Sequence, residues 1–270
     1  MKKFLKIIIT KLSLEQKEIL TAELAHAGFY AFEENDDELI AYVLQKDFYE
    51  EAFKKTLPAA VHYSVSEIED KNWNKEWESS FDPVVVDDFV AIRASFHKPV
   101  NAPYEIIITP KMSFGTGHHS TTLLMIQLMQ KIDFANKRVL DFGTGTGILA
   151  ILAEKLGASS IIAIDNDEWS ISNARENTLA NKCTKILLQK QDNTQQLPDV
   201  DIITANINFN VLASQAGNLG KILTNESLLL ISGILIKDEQ SISEIFNEVG
   251  ILKQLVLCKE EWISILFKKQ

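Results

Sequence analysis

The chain has 270 residues, 46% of them hydrophobic and 24% charged, an ordinary globular balance that excludes wholesale disorder. Its net charge of −10 argues against a general DNA or RNA binder, whose affinity rests on phosphate contacts, and favours a basic partner. Two cysteines, Cys183 and Cys258, give neither a disulfide framework nor a CxxC metal site, and they suit a reducing, cytoplasmic setting.

The opening MKKFLKIIITK has the basic start of a signal peptide. Lys6 interrupts the apolar run, Lys11 ends it, and no small-residue cleavage site follows, so it reads instead as a strand over Phe4–Thr10. No apolar stretch approaches the roughly 18 residues of a membrane span. Ser13 is placed to cap a helix from Leu14 to Ala27 that Gly28 stops. A strand over Phe29–Phe32, an acidic turn, a strand over Glu38–Leu44, a helix over Asp47–Thr56 ended by Pro58, and a strand over Val61–Ile68 complete a βαββαβ order. That order predicts a small α+β ferredoxin-like domain over residues 1–69. Residues 70–80, with Trp73 and Trp77 four apart on one helix face, read as a helical linker whose tryptophans serve core or interdomain packing.

Residues 81–270 form the second expected domain. From Tyr104 onward the rhythm becomes βαβ, with strands expected at Glu105–Thr109, Arg138–Phe142, Ser160–Asp165, Lys185–Gln189, Asp201–Ala205 and Leu228–Ser232. Helices between most of them imply an α/β, Rossmann-like parallel sheet covered on both faces. Ile251–Leu257 and Trp262–Phe267, joined by a short charged link, read as a terminal antiparallel hairpin.

The strongest motif is VLDFGTGTGILAILAEKLGA over residues 139–158. An apolar strand runs into Asp141, then Gly143, Gly145 and Gly147, then an amphipathic helix. Glycines allow a tight turn and close approach to a ligand, and the helix start offers free N–H groups. A dinucleotide fingerprint would place its third glycine at Ile148; here it comes one residue early. The pattern D-x-G-x-G-x-G therefore departs from a pyrophosphate cradle. An acid ahead of the glycines suits a ligand with a cationic amino-acid end.

Asp165 ends the next strand, about twenty residues past the loop, where a carboxylate can accept both hydroxyls of a ribose. Asp167 reads as a helix cap. Asp192 follows the third strand, placed either to meet an adenine amino group or to serve a polar loop. Asn206 ends the fourth strand, where open α/β sheets bind ligands; its alternative reading is a helix cap. Phe114 and Gly117 belong to a loop that feeds the helix carrying Thr121 and Thr122. The adjacent His118 and His119 do not make a metal site, since sequence neighbours rarely chelate together and no carboxylate or cysteine cluster joins them.

D-x-G-x-G-x-G resembles the first motif of the S-adenosylmethionine-dependent methyltransferases with the class I, Rossmann-like fold. NWNKEWESSFDPVVV, FGTGHHSTT, VLDFGTGTGILAILA, IDNDEWSISNARENTLAN, ANINFNVL, LLISGIL and EEWISILFK occur in that order. Together they resemble the PrmA family, bacterial methyltransferases of ribosomal protein eleven of the large subunit. The resemblance implies S-adenosyl-L-methionine as cofactor, contacted by Thr122, Gly143, Asp165 and Asn206. It also implies an N-terminal domain that captures the ribosomal protein and presents its amines. The chain departs from the usual family pattern at Thr109, His118, Ser120 and Thr144.

Catalysis by such a protein requires a neutral amine aligned beside Asn206, the expected catalytic residue, in a dry site. Methylation of RNA is disfavoured by the acidic charge and by Asn206-Ile207-Asn208-Phe209, which lacks the N-P-P-Y prolines of many amino-methylating enzymes. A small-molecule methyltransferase and a silent cofactor-binding scaffold are the other readings. A monomer without membrane contact is expected.

Overall fold

The computed structural model describes residues 4–29, 31–34, 38–58, 61–68, 82–109 and 117–270. The chain divides into two compact units, Met1–Ser80 and Phe81–Gln270. The expected linker with Trp73 and Trp77, and the loop residue Phe114, lie outside the described residues.

In the first unit, β1 (Phe4–Thr10), α1 (Leu14–His26), β2 (Ala31–Glu34), β3 (Glu38–Leu44), α2 (Glu50–Thr56) and β4 (His62–Ile68) follow in order. The strands form an antiparallel sheet, β2-β3-β1-β4, the ferredoxin-like arrangement. Alternation places Leu5, Ile7 and Ile9 on the face that packs with Leu20, Leu24 and Phe53. Ser13 and Gln16 cap α1 reciprocally, at 2.9 and 3.2 Å. Gly28, at φ 94°, ends it, and the Phe29 N–H donates to the Leu24 carbonyl. The second helix is shorter than expected. A 3-10 turn occupies Gln45–Asp47, and Phe48 leaves the helical conformation to place its ring against Phe29 and Phe53.

The second unit opens with a three-stranded sheet of β5 (Val84–Val86), β6 (Val90–Ala94) and β7 (Tyr104–Ile108). The strand expected at Glu105–Thr109 is thus β7, and it belongs here rather than to the main sheet. β7 pairs in parallel with β6 on one edge. Its other edge meets α5 (Glu168–Ala180) and the residue after it. Asn181 accepts from the Ile107 N–H at 2.9 Å and donates to the Ile107 carbonyl at 2.6 Å, while Asn177 accepts from the Thr109 N–H at 2.7 Å. Two carboxamides thereby take the place of a neighbouring strand, which periodicity in the sequence cannot show.

The main sheet has seven strands in the order β10-β9-β8-β11-β12-β14-β13. These are β8 (Arg138–Phe142), β9 (Ser160–Asp165), β10 (Ile186–Lys190), β11 (Val200–Asn206), β12 (Leu223–Leu235), β13 (Ile251–Lys259) and β14 (Trp262–Lys269). Strands β8 to β12 are parallel, and β14 enters antiparallel between β12 and β13. The remaining helices are α3 (Ser120–Met129), α4 (Ile148–Lys155), α6 (Phe209–Ile222) and α7 (Glu239–Glu248). One apolar core joins α3 and α4 to the sheet, and a second joins α6 and α7 to its other face. β12 is longer than expected at both ends: Leu223 pairs with Val200 of β11, and β14 pairs along its free edge as far as Leu235, around a bulge between Ile231 and Ile234. No helix among the described residues is long and apolar enough to cross a membrane.

Replacing Asn181 with alanine leaves the Ile107 backbone groups unpaired and half-buried. The expected loss is about 1–3 kcal/mol of unfolding free energy, read from the urea midpoint at constant m-value.

Candidate functional site

The sheet reverses its winding between β8 and β11: the chain proceeds outward through β9 and β10, then returns to β11 and β12 on the other side. Loops that leave strands at such a point diverge and open a crevice at the carboxyl edge. A cleft of about 560 Å³ lies there. Its lining follows strand order: Asp192 after β10, Asp165 and Asp167 after β9, Gly143 and Gly145 after β8, Asn206 to Asn208 after β11, Gly233 in β12 and Trp262 at the start of β14. Those six strand tips span about 24 Å at the usual spacing. His119 and Thr121, at the start of α3, line the cleft as well.

Glycine is required by geometry at two of these places. Gly143 has φ 76°, and a Cβ on it would stand 2.2 Å from the Ile207 side chain. Gly233, at φ 84° in the β12 bulge, would place a Cβ 2.5 Å from the Ile207 carbonyl oxygen. The backbone behind Asn206 therefore sits between two residues that cannot carry a side chain.

The glycine loop does not present a nest of free N–H groups. The Gly143 and Thr144 N–H groups both donate to the Ile164 carbonyl at 2.9 Å, the Gly147 N–H to the Thr144 carbonyl at 2.8 Å, and the Gly145 N–H to Asp165 Oδ2 at 2.9 Å. A loop whose donors are used internally is poorly suited to a pyrophosphate, in accord with the early third glycine.

Asp141, expected to face a cationic ligand, is instead sealed beneath this loop. Its carboxylate accepts from Thr144 Oγ1 at 2.6 Å and Thr204 Oγ1 at 2.7 Å, and from the Ala150 N–H in the first turn of α4. The helix start expected to offer free donors is thus served by a carboxylate of the preceding strand. Burial pushes the Asp141 carboxyl up to about 6, against the opposing pull of the two hydroxyls and the N–H.

Asp165 is placed differently. Oδ2 holds Gly145, Oδ1 accepts from the Asp167 N–H at 3.0 Å, and the side chain lines the cleft. A carboxylate has about four acceptor positions, so two remain. Asp167 caps α5; the N–H and hydroxyl of Ser170, and then the N–H of Trp169, hold its carboxyl below the usual range. Asp192 lines the same end of the cleft and accepts from Asn193 Nδ2 at 2.7 Å.

Asn206 is not a helix cap; Asn208 caps α6, accepting from the Val211 N–H at 3.1 Å. Asn206 lines the cleft, and its Oδ1 is buried with no hydrogen-bond partner. Its Nδ2 lies 3.5 Å from Thr122 Oγ1. Thr122 is fully buried and backs Asn206 instead of lining the cleft. Gly147 and Gly117 also stand outside the lining. The first meets Ala174, and the second lies against Ile92.

Two lining residues carried no clear signal in the sequence. His119 is the cap of α3: its Nδ1 accepts from the Thr121 N–H at 3.3 Å and lies 2.8 Å from Thr121 Oγ1. Its ring meets Trp262 edge-on, with centroids 5.0 Å apart. His118 points elsewhere, with Nε2 3.0 Å from the Asp82 carbonyl. The two histidines do not share a ligand position, and among the described residues no group of three or more His, Cys, Asp or Glu is placed to hold a metal.

Five parallel strands, a reversed seventh strand inside the sheet's edge and a glycine-paved cleft at the switch point define a class I S-adenosylmethionine-dependent methyltransferase. The crystal structure of a methyltransferase from Pyrococcus furiosus shares the fold, with a TM-score of 0.52 at 15% identity over 61% of this chain and 89% of that one. The structure of ribosomal protein L11 methylase from Lactobacillus delbrueckii subsp. bulgaricus is nearer, with a TM-score of 0.66 at 29% identity over 70% of this chain and 100% of that one. A family model described as ribosomal protein L11 methyltransferase (PrmA) matches residues 6–270. Relatives with that name from Porphyromonas gingivalis and Bacteroides fragilis are 39% and 37% identical, over 93% of this chain and 90% and 93% of theirs. The chain belongs to the PrmA family of ribosomal protein L11 methyltransferases.

Asp141 also sets a pH dependence. The folded chain keeps its proton up to about pH 6, whereas the unfolded chain releases it near the ordinary carboxylate value. Between the two the native state binds more protons, so stability falls as pH rises. The contribution of about 3 kcal/mol is complete below pH ~4 and gone above pH ~6. Asp141→Asn, which keeps an acceptor for Ala150, is expected to remove this slope from urea unfolding measured between those limits.

Proposed function

We propose that the chain methylates lysine side-chain and/or N-terminal amines of ribosomal protein L11, with S-adenosylmethionine held along the strand tips from Asp192 to Asn206. The observation that carries this reading is Asn206, a residue of the cleft lining whose buried Oδ1 has no hydrogen-bond partner. A buried acceptor left unpaired costs about 1–3 kcal/mol, which an incoming N–H recovers.

The residues present fit the cofactor. The two remaining acceptor positions of Asp165 suit a ribose diol, Asp192 suits an adenine amino group, and the glycine loop offers close approach without competing donors. When bound, the cofactor supplies a methyl group on a cationic sulfur. The protein's part is then to hold an uncharged amine in line with it. A free lysine at pH 7 is neutral in only about 4 molecules in 10,000, a deficit of roughly 4.6 kcal/mol. Partial desolvation against the wall formed by the touching rings of His119 and Trp262, and a hydrogen bond to Asn206, act against that deficit. The sequence offers no obvious general base, nor does the cleft lining among the described residues, and His119 Nδ1 is engaged by the Thr121 N–H. The amine proton therefore leaves to water at the open mouth of the cleft.

Substrate capture is assigned to the N-terminal ferredoxin-like domain, over residues 1–69. The net charge of −10 supports a basic protein as partner. Reducing surroundings accord with the cysteine usage.

Asn206→Ala is expected to slow methylation of L11 by about 100-fold or more while changing cofactor affinity less than about fivefold. Mass spectrometry of L11 and calorimetry with the cofactor read the two effects, and unchanged turnover would defeat the role of Asn206. Asp165→Ala is expected to show the converse, with cofactor Kd raised at least about tenfold.

A further inference from the structure

We propose that Ser120 and Glu260 form a clasp that aligns His119 with Trp262, and so holds the acceptor amine in line for transfer. The proposal rests on the reading of the cleft given above.

Ser120 Oγ donates to Glu260 Oε2 at 2.8 Å. The two residues lie on elements that meet only in the folded chain. Ser120 is the first helical residue of α3, directly after His119. Glu260 begins the two-residue turn between β13 and β14, two residues before Trp262. The bond thus sits beside the two rings, which touch edge-on and together form one wall of the cleft. Among the described residues it is the side-chain hydrogen bond that joins α3 to this turn. The turn's other tie, from the Ile236 N–H to the Glu261 carbonyl at 3.0 Å, runs to the end of β12 and does not restrain His119.

Two features make the contact more than incidental. Glu260 has φ 55°, a conformation that glycine or asparagine adopts at far lower cost. A glutamate there gains what its carboxylate reaches, and it reaches Ser120. In addition, α3 has no acidic residue in its own first turn, so Glu260 supplies the negative charge that its N-terminus favours. The bond is charge-assisted, and Ser120 is only 8% exposed. Alignment is where such a bond matters most, since small displacements of an acceptor cost far more rate than binding.

Two substitutions separate this role from simple stability. Ser120→Pro removes the hydroxyl at a position that tolerates proline in any helix, and His119 already has the extended backbone, φ −73° and ψ 137°, that precedes a proline. Glu260→Gly removes the carboxylate and relieves the left-handed strain. Each is expected to lower kcat for L11 by about fivefold, with the KM for L11 and the cofactor Kd within twofold of wild type. The double variant should be no slower than either single one. Glu260→Gln, which still accepts from Ser120, should retain most of the rate. Glu260→Gly should melt no lower than wild type. Unchanged kcat in both single variants, or additive losses in the double one, would overturn the clasp.

A second readout does not depend on activity. In protein labelled with 5-fluorotryptophan, the Trp262 resonance, assigned through Trp262→Phe, should shift in Ser120→Pro and Glu260→Gly but not in Glu260→Gln. If wild type bound the cofactor yet left L11 unmodified, the reading of the cleft would fail while this spectrum still judged the clasp. A Trp262 signal insensitive to all three variants would sink it.

Discussion

A single buried carboxylate holds the cleft open. Asp141, the penultimate residue of β8, lies under the glycine loop and is satisfied by Thr144 in the loop, Ala150 in α4 and Thr204 in β11. One side chain thereby joins the loop to the strand across the switch point, where Thr204 and Asp141 are direct neighbours in register. Two residues beyond Thr204 comes Asn206. The position of the Asn206 carboxamide and the shape of the glycine loop thus depend on one desolvated group. Isolating it from water is costly, and the three donors offset that cost only while all of them stay in place.

Asp141 and Asp165 stand on adjacent strands and show how environment divides labour between identical side chains. Both close the same loop, one from below and one from the side. Asp141 has every acceptor direction turned inward and so serves the fold. Asp165 spends two positions on Gly145 and Asp167 and presents the rest to the cleft. The sequence motif treats both as acids near glycines. Burial alone separates the structural carboxylate from the one available to a ligand.

Much of the architecture was readable in the residues. Arg138–Phe142 and Ser160–Asp165 form strands over the expected residues, because an apolar run bounded by glycine and aspartate admits few other conformations. The glycine spacing excluded a pyrophosphate cradle, and the hydrogen bonds within the loop show why. The unread parts are tertiary. Nothing in the pattern of Tyr104–Ile108 shows that its edge is covered by Asn177 and Asn181, and the strand therefore looked like a member of the main sheet. Thr122 resembled a ligand contact, yet the turn of α3 places it behind Asn206 and brings Thr121 to the surface of the cleft. His119 gained its meaning from Trp262, more than a hundred residues away.

The reversed strand explains how so distant a residue reaches the site. In a wholly parallel sheet every strand begins at the edge opposite the ligand. β14 runs against its neighbours, so its first residue lies where β11 and β12 end. Trp262 consequently faces the cleft from the start of a strand, and the turn before it lies beside the start of α3. The hairpin thus does more than lengthen the sheet: it delivers Trp262 and Glu260 to the side of the cleft where α3 begins, while the βα loops of the parallel strands furnish the side that carries Asp165 and Asp192. Separate elements build the two sides, and between them lies Asn206, followed by Ile207, whose side chain and backbone leave no room for a side chain at Gly143 or Gly233.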